Sequence, residues 1–174
     1  MPAIAHIGIG LAAKRVTPDI HVGLLILAAE FIELIFVSLW VIGLEYPPQT
    51  DGPPYAPYTH SILSGLMWSV IAGMFSSIFS KNIRINIFIG LLVFSHTILD
   101  MIASPKLAFY PSDTPLPFFF DDSVRFGFGL WKSTTIAAIG EIGIVIAGLF
   151  IYFMTKRKLK KQKFSDSGSM TIIT

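Results

Sequence analysis

Apolar positions in this chain come in long blocks. Four of them, approximately residues 21–44, 58–80, 85–103 and 133–154, are long enough as helices to cross about 30 Å of hydrocarbon. A fifth block, residues 3–13, is too short to span and predicts a re-entrant or interfacial helix packed against the others. A secretory signal fits poorly. Lys14 and Arg15 follow that short block instead of preceding it, and the next block is too long for a signal core and carries Glu30 and Glu33. The expected fold is all-α: a polytopic membrane helix bundle with four transmembrane helices plus the short N-terminal helix. Residues 1–155 form a single transmembrane domain, and 156–174 read as a basic, disordered tail.

The basic residues orient these blocks. Lys14 and Arg15 precede the first span, Lys81 and Arg84 separate the second from the third, and Lys156, Arg157, Lys158, Lys160, Lys161 and Lys163 follow the fourth. With four spans, all of them fall on one side, which the positive-inside rule makes cytoplasmic. The opposite loops carry only Lys106, Arg125 and Lys132, beside Glu45, Asp51, Asp113, Asp121 and Asp122. The expectation is a multi-pass membrane protein with both termini inside.

Composition agrees. The chain has 174 residues, 53% hydrophobic and 14% charged, against about 25% charged in an ordinary soluble domain. Mean hydropathy is +0.68. A soluble monomer of this size would need more polar surface. A net charge of +2 gives no reason to expect nucleic acid as a partner, and the absence of cysteine removes disulfides, thiolate zinc sites and thiol nucleophiles.

Two outer connections are punctuated by proline. Residues 46–57 hold Pro47, Pro48, Pro53, Pro54 and Pro57, and 104–132 hold four more prolines, the run Phe118–Phe120 and the pair Asp121–Asp122. A connection as long as the second reads as a lid, docking surface or binding element. The glycines from Gly127 to Gly148 read as close helix packing.

The chemistry lies in polar residues placed where lipid should be. Glu30 and Glu33 fall in the first span, His60 in the first turn of the second, His96 and Asp100 in the third, Glu141 in the fourth and His6 in the short N-terminal block. An ionisable group inside a span costs at least a few kcal/mol and needs a partner, water or a metal. Glu30 and Glu33 are three apart, and His96 and Asp100 four apart, so each pair shares a helix face. At 1.5 Å per residue, Glu33 and His96 each lie about 16–18 Å above the cytoplasmic edge. Imidazole nitrogens and carboxylates together are ligands for a divalent metal, with Zn favoured and Mn or Fe as alternatives. The rival is a proton or cation pathway, since the same residue types build relays. Thr59, Ser61 and Ser95 adjoin the histidines, either orienting them or bonding to backbone. There is no nucleophile elbow, P-loop or dinucleotide fingerprint.

Short motifs point to a family. The string Pro57-Tyr58-Thr59-His60-Ser61 resembles the T-H-S element of bacterial integral membrane proteins labelled metal-dependent hydrolases, themselves remotely similar to zinc-dependent phospholipase C. Ser95-His96-Thr97-Ile98-Leu99-Asp100 resembles their S-H-x-x-L-D element, and Ala5-His6 followed by Gly8 their A-H-x-G element. Gly43–Glu45 and Gly127–Ser133, followed by Glu141, resemble elements of a narrower subgroup. The resemblance implies that His6, His60, His96 and Asp100 hold metal. Glu33 stands where that family usually has Asp, and the family's H-R-G before T-H-S is replaced by the tyrosine and proline run. On this reading the protein hydrolyses a phosphoester or lipid-derived substrate. His60, His96 and Asp100 are ligands, His6 and Glu33 complete one or two sites, and Glu141 or Glu30 acts as general base, with Arg125 or Lys132 available to a phosphate. The other classes are a proton- or cation-coupled permease and a non-catalytic membrane assembly protein. Membrane lipid is the expected partner, and the oligomeric state is open.

Overall fold

The computed structural model describes residues 4–46, 56–104, 106–107, 125–131 and 133–170. Its order is α1 (Ala5–Ala13), α2 (Val22–Ala29), α3 (Phe31–Val41), α4 (Pro57–His60), α5 (Ile62–Ser76), α6 (Ile83–Ala103), β1 (Lys106–Leu107), β2 (Arg125–Phe126) and α7 (Thr134–Met170). The two strands are a two-residue antiparallel pair that closes the base of the long connection, and the other regular elements among the described residues are helical.

Among the described residues, two helices are long and apolar enough to cross a membrane: α6, and α7 over Thr134–Phe164. A third crossing exists if α2 and α3 count as one span bent by 56°. The bend falls at Glu30, which ends one helix and starts the next. The expected span over 58–80 is divided. Ser61 leaves the helical conformation (φ −82°, ψ 160°) to cap α5, its hydroxyl accepting from the Ser64 N–H while the Ser64 hydroxyl accepts from the Ser61 N–H. That reciprocal cap stops α4 from running into α5. With 15 residues, α5 is about 22 Å long, short of a full hydrocarbon thickness.

Local chemistry sets the other boundaries. The His21 imidazole accepts from the Gly23 N–H and starts α2, and the Asn82 side chain accepts from the Arg84 N–H and starts α6. Gly43 ends α3 at φ +77°, a left-handed conformation open to glycine, with N–H bonds from Gly43 and Leu44 back to Trp40 and Leu39. This reversal turns Glu45 back toward α4. Helix α7 continues through Met170, so the basic segment is helical where the sequence predicts disorder. A formed helix propagates cheaply into lysines, glutamine and leucine, all good helix formers.

Leu25, Ala29, Ile32, Leu92 and Val93 are buried on the seam of α2, α3 and α6, with Ala13 of α1 and Ala72 of α5 packed into the same core. Large apolar side chains such as Leu24, Val37, Leu91 and Ile146 point outward, as a lipid solvent permits. Helix α1 folds back on α2 and lies along α7. A Cβ at Gly10 would meet the Ile26 Cα at 2.6 Å, and one at Gly8 the Ile144 carbonyl oxygen at 2.6 Å. Glycine on α1 therefore lets backbone rest on backbone.

Two connections meet at one end of the molecule, where Thr17 to Ile20 and Asn82 to Ile85 line a common recess. Ile4 lies beside Glu141 and Gly8 beside Ile144, so α7 runs parallel to α1 and its basic extension emerges at that same end. Lys14, Arg15, Lys81, Arg84 and the α7 lysines thus share one end, as their spacing in sequence requires. At the other end, residues 128–131 run back along α6, with N–H bonds from Phe128, Leu130 and Trp131 to Met101, Ile102 and Ala103. The prolines between 47 and 54, the run Phe118–Phe120, Asp121, Asp122 and Lys132 lie outside the described residues, and Arg125 is described only in its backbone.

Candidate metal centre

Four helices deliver five side chains to one place. His6 is the second residue of α1, Glu33 stands in the first turn of α3, His60 closes α4, and His96 and Asp100 lie one turn apart on α6. His6, His96 and Asp100 offer ligand atoms within 4.8 Å of one another, and so do Glu33, His60 and His96. His6, His60, His96 and Asp100 are buried, while the Glu33 side chain keeps 22% of its surface and is the exposed edge of the cluster.

The separations are specific. His60 Nε2 stands 3.6 Å from Glu33 Oε1 and 3.8 Å from Asp100 Oδ2. His96 Nε2 stands 3.9 Å from Glu33 Oε1 and 3.8 Å from Asp100 Oδ2. His6 Nε2 is 3.9 Å from Asp100 Oδ1. These gaps are too long for hydrogen bonds. They lie near the ligand-to-ligand edge of about 3.3 Å that tetrahedral bonds of about 2.0 Å create.

Proton positions sharpen the point. The His96 Nδ1 lies 3.3 Å from the Ala29 carbonyl oxygen, which can only accept, so Nδ1 donates. The Thr59 hydroxyl donates to Glu45 Oε2 at 2.6 Å, so toward His60 Nδ1, 2.7 Å away, it accepts. In the neutral imidazoles both protons are then on Nδ1, and both Nε2 lone pairs face carboxylate oxygens. The Nε2 atoms of His60 and His96 are buried and make no hydrogen bond. Lone pairs aimed at lone pairs repel, and a cation between them reverses the sign. The rings of His6 and His96 are stacked, centroids 3.7 Å apart and planes 11° apart. Two imidazolium ions in that stack would repel, whereas two neutral rings accept it. These buried His, Asp and Glu groups could hold a metal ion.

Other expected site residues go elsewhere. Glu30, at the bend, has a buried Oε1 without a hydrogen bond and belongs to neither ligand group. Glu141 Oε2 accepts from the Ile4 N–H at 3.2 Å and serves the start of α1. Of the three hydroxyls beside the histidines, only Thr59 engages one. Ser95 donates to the Leu92 carbonyl and Ser61 caps α5.

Glu45 lies in the connection after α3, where the sequence places it, but its part behind the cluster was not read from the sequence. It is fully buried. Its Oε1 accepts from the Tyr58 and Thr59 N–H groups at 2.7 and 3.0 Å, and its Oε2 from the Thr59 hydroxyl. Burial pushes its carboxyl up from the usual range, against the pull of the Thr59 hydroxyl and the two N–H groups. The available signal was an acid two residues after a helix-ending glycine, in the G-x-E string at Gly43.

Comparison of the chain with protein-family models, with curated proteins and with solved structures finds no match.

Proposed function

We propose that this is a membrane-embedded metalloprotein holding one divalent cation, Zn by preference, and that it acts as a metal-dependent hydrolase. The observation that carries the metal is the orientation of two imidazoles whose Nε2 lone pairs converge on two carboxylates. Three neutral imidazoles, one aspartate and one glutamate sum to −2, which one divalent ion cancels, and neutrality matters most in a low-dielectric bundle. His6, Glu33, His60, His96 and Asp100 are the candidate ligands in this reading, His96 belonging to both ligand groups and His6 and Glu33 to one each. A bound divalent ion supplies Lewis acidity toward a phosphoryl or carbonyl oxygen and acidifies water.

Hydrolysis is supported by the resemblance of the motifs around His6, His60, His96 and Asp100 to the membrane hydrolase family. Glu33, as the exposed member of the cluster, marks the side on which a substrate meets it. Glu30 lies one turn from Glu33 and has an oxygen free to accept a proton, which makes it the candidate general base. A phosphoester or lipid-derived substrate fits a site that borders apolar, outward-facing helices. The end carrying Lys14, Arg15, Lys81, Arg84 and the α7 lysines is cytoplasmic in this reading.

Elemental analysis of detergent-purified protein is the test. About one equivalent of transition metal is expected, and His96→Ala should lose it. Wild-type protein without metal, after refolding or growth with added zinc, manganese and iron, would overturn the reading. Hydrolysis is then tested on phosphomonoester and phospholipid substrates with wild type against His96→Ala and Glu30→Gln.

A further inference from the structure

The centre has a support behind it that the ligand set does not include. Glu45 follows the Gly43 turn at the end of α3, and Thr59 and His60 are the last two residues of α4. Thr59 and Glu45 are both fully buried. The Glu45 carboxylate takes three hydrogen bonds, two from backbone N–H groups to Oε1 and one from the Thr59 hydroxyl to Oε2. A hydroxyl has one proton. Once Thr59 gives it to Glu45, its oxygen can only accept from His60 Nδ1.

We infer that Glu45, acting through Thr59, is a positioning pair that selects the His60 tautomer with its proton on Nδ1 and its Nε2 bare toward Glu33 and Asp100. The role rests on the metal reading above for its purpose, though not for its geometry. A histidine that binds metal through one nitrogen usually donates from the other to a fixed acceptor, which orients the ring and raises its basicity. His96 has a backbone acceptor for this, the Ala29 carbonyl released at the bend between α2 and α3. His60, at the end of a four-residue helix, has a side-chain acceptor whose polarity depends on a carboxylate further out. The Phe36 ring meets His60 edge-on at a centroid distance of 5.2 Å and limits its rotation.

The assignment makes an asymmetric forecast. In Glu45→Gln the amide oxygen can keep both backbone N–H bonds, and the amide NH2 then faces Thr59. Thr59 accepts from it and donates to His60 Nδ1, which drives the imidazole proton onto Nε2, the nitrogen needed for metal. Thr59→Val keeps the shape and removes the acceptor. Thr59→Ser keeps the hydroxyl.

The experiment measures zinc affinity by competition with a chromophoric chelator, on full-length protein in detergent. It pairs this with nitrogen NMR of histidine-labelled, metal-free protein, which reports the proton-bearing nitrogen of His60. Glu45→Gln and Thr59→Val should bind zinc about 10–100-fold more weakly, with Thr59→Ser within a few-fold of wild type. The His60 proton should sit on Nδ1 in wild type and move to Nε2 in Glu45→Gln. Wild-type affinity in both Glu45→Gln and Thr59→Val, alongside lost affinity in His60→Ala, would overturn the role. So would a His60 proton on Nε2 in wild type. Wild type that binds no zinc defeats the metal reading alone, because the NMR result still decides the tautomer. If Thr59→Val does not fold, the contrast between Glu45→Gln and Thr59→Ser carries the test.

Discussion

His6 lies flat against His96, ring on ring at 3.7 Å, although one comes from the first helix and the other from the sixth. This stack joins the short N-terminal helix to the centre of the bundle. It makes α1 part of the candidate site, which its length alone does not suggest.

Removing that ring should therefore cost more than packing. His6→Ala is expected to weaken metal binding by more than the ~10–100-fold that an outer supporting partner carries. Loss of the metal also removes the stabilisation that a ligand present at a hundred times its Kd provides, about 2.7 kcal/mol. Thermal melts of wild type and variant, each with and without a chelator, check both parts: the chelator should lower the wild-type midpoint and leave that of His6→Ala nearly unchanged.

The seat of α1 depends on backbone contact at Gly10, where an added Cβ would come 2.6 Å from the Ile26 Cα. Gly10→Val should force α1 away from α2 at a cost of about 1–3 kcal/mol, the usual range for an overfilled core. Metal content should fall with it, because His6 moves with the helix. Full metal occupancy in a stably folded Gly10→Val protein would show that α1 is not held in this way.

Glu141 offers a clean separation of roles. Its carboxylate accepts from the Ile4 N–H at the start of α1. Glu141→Gln keeps an acceptor oxygen and should leave stability and metal content close to wild type. Glu141→Ala should cost about 0.5–2 kcal/mol, as loss of a helix cap does. A large loss of hydrolytic rate in Glu141→Gln at unchanged metal content would instead make it a general base.

Because the chain contains no cysteine, single introduced thiols report sidedness without background. Lys163→Cys in the α7 extension and Ser104→Cys after α6 lie at opposite ends. In intact inner-membrane vesicles of known orientation, a membrane-impermeant maleimide should label one and spare the other. Lys163→Cys should be the cytoplasmic one, as the clustered basic residues require.

Much of this architecture was legible in the residue order. Blocks of apolar residues announce helices in lipid because no other structure with satisfied backbone groups suits that solvent. Buried acids and histidines announce a site because their transfer cost has to be met. The placement of Lys14, Lys81 and the α7 lysines at one end was equally readable. The span count was not. The sequence over 58–80 carries no acid, lysine or arginine and reads as one block, yet the Ser61 and Ser64 hydroxyls compete for backbone groups and divide it.

Residue order alone singled out His6, Glu33, His60, His96 and Asp100 as one candidate set, since polar groups in apolar surroundings are conspicuous by type and by depth, and the fold brings them together. Only the tertiary structure decided that Glu45 stands behind His60 while Glu141 turns away to α1. A carboxylate is recruited by whichever donors the fold brings within about 3 Å. In this chain those donors are set by a glycine turn after α3 and by glycine-mediated contact between α1 and α7, long-range arrangements that local spacing does not encode.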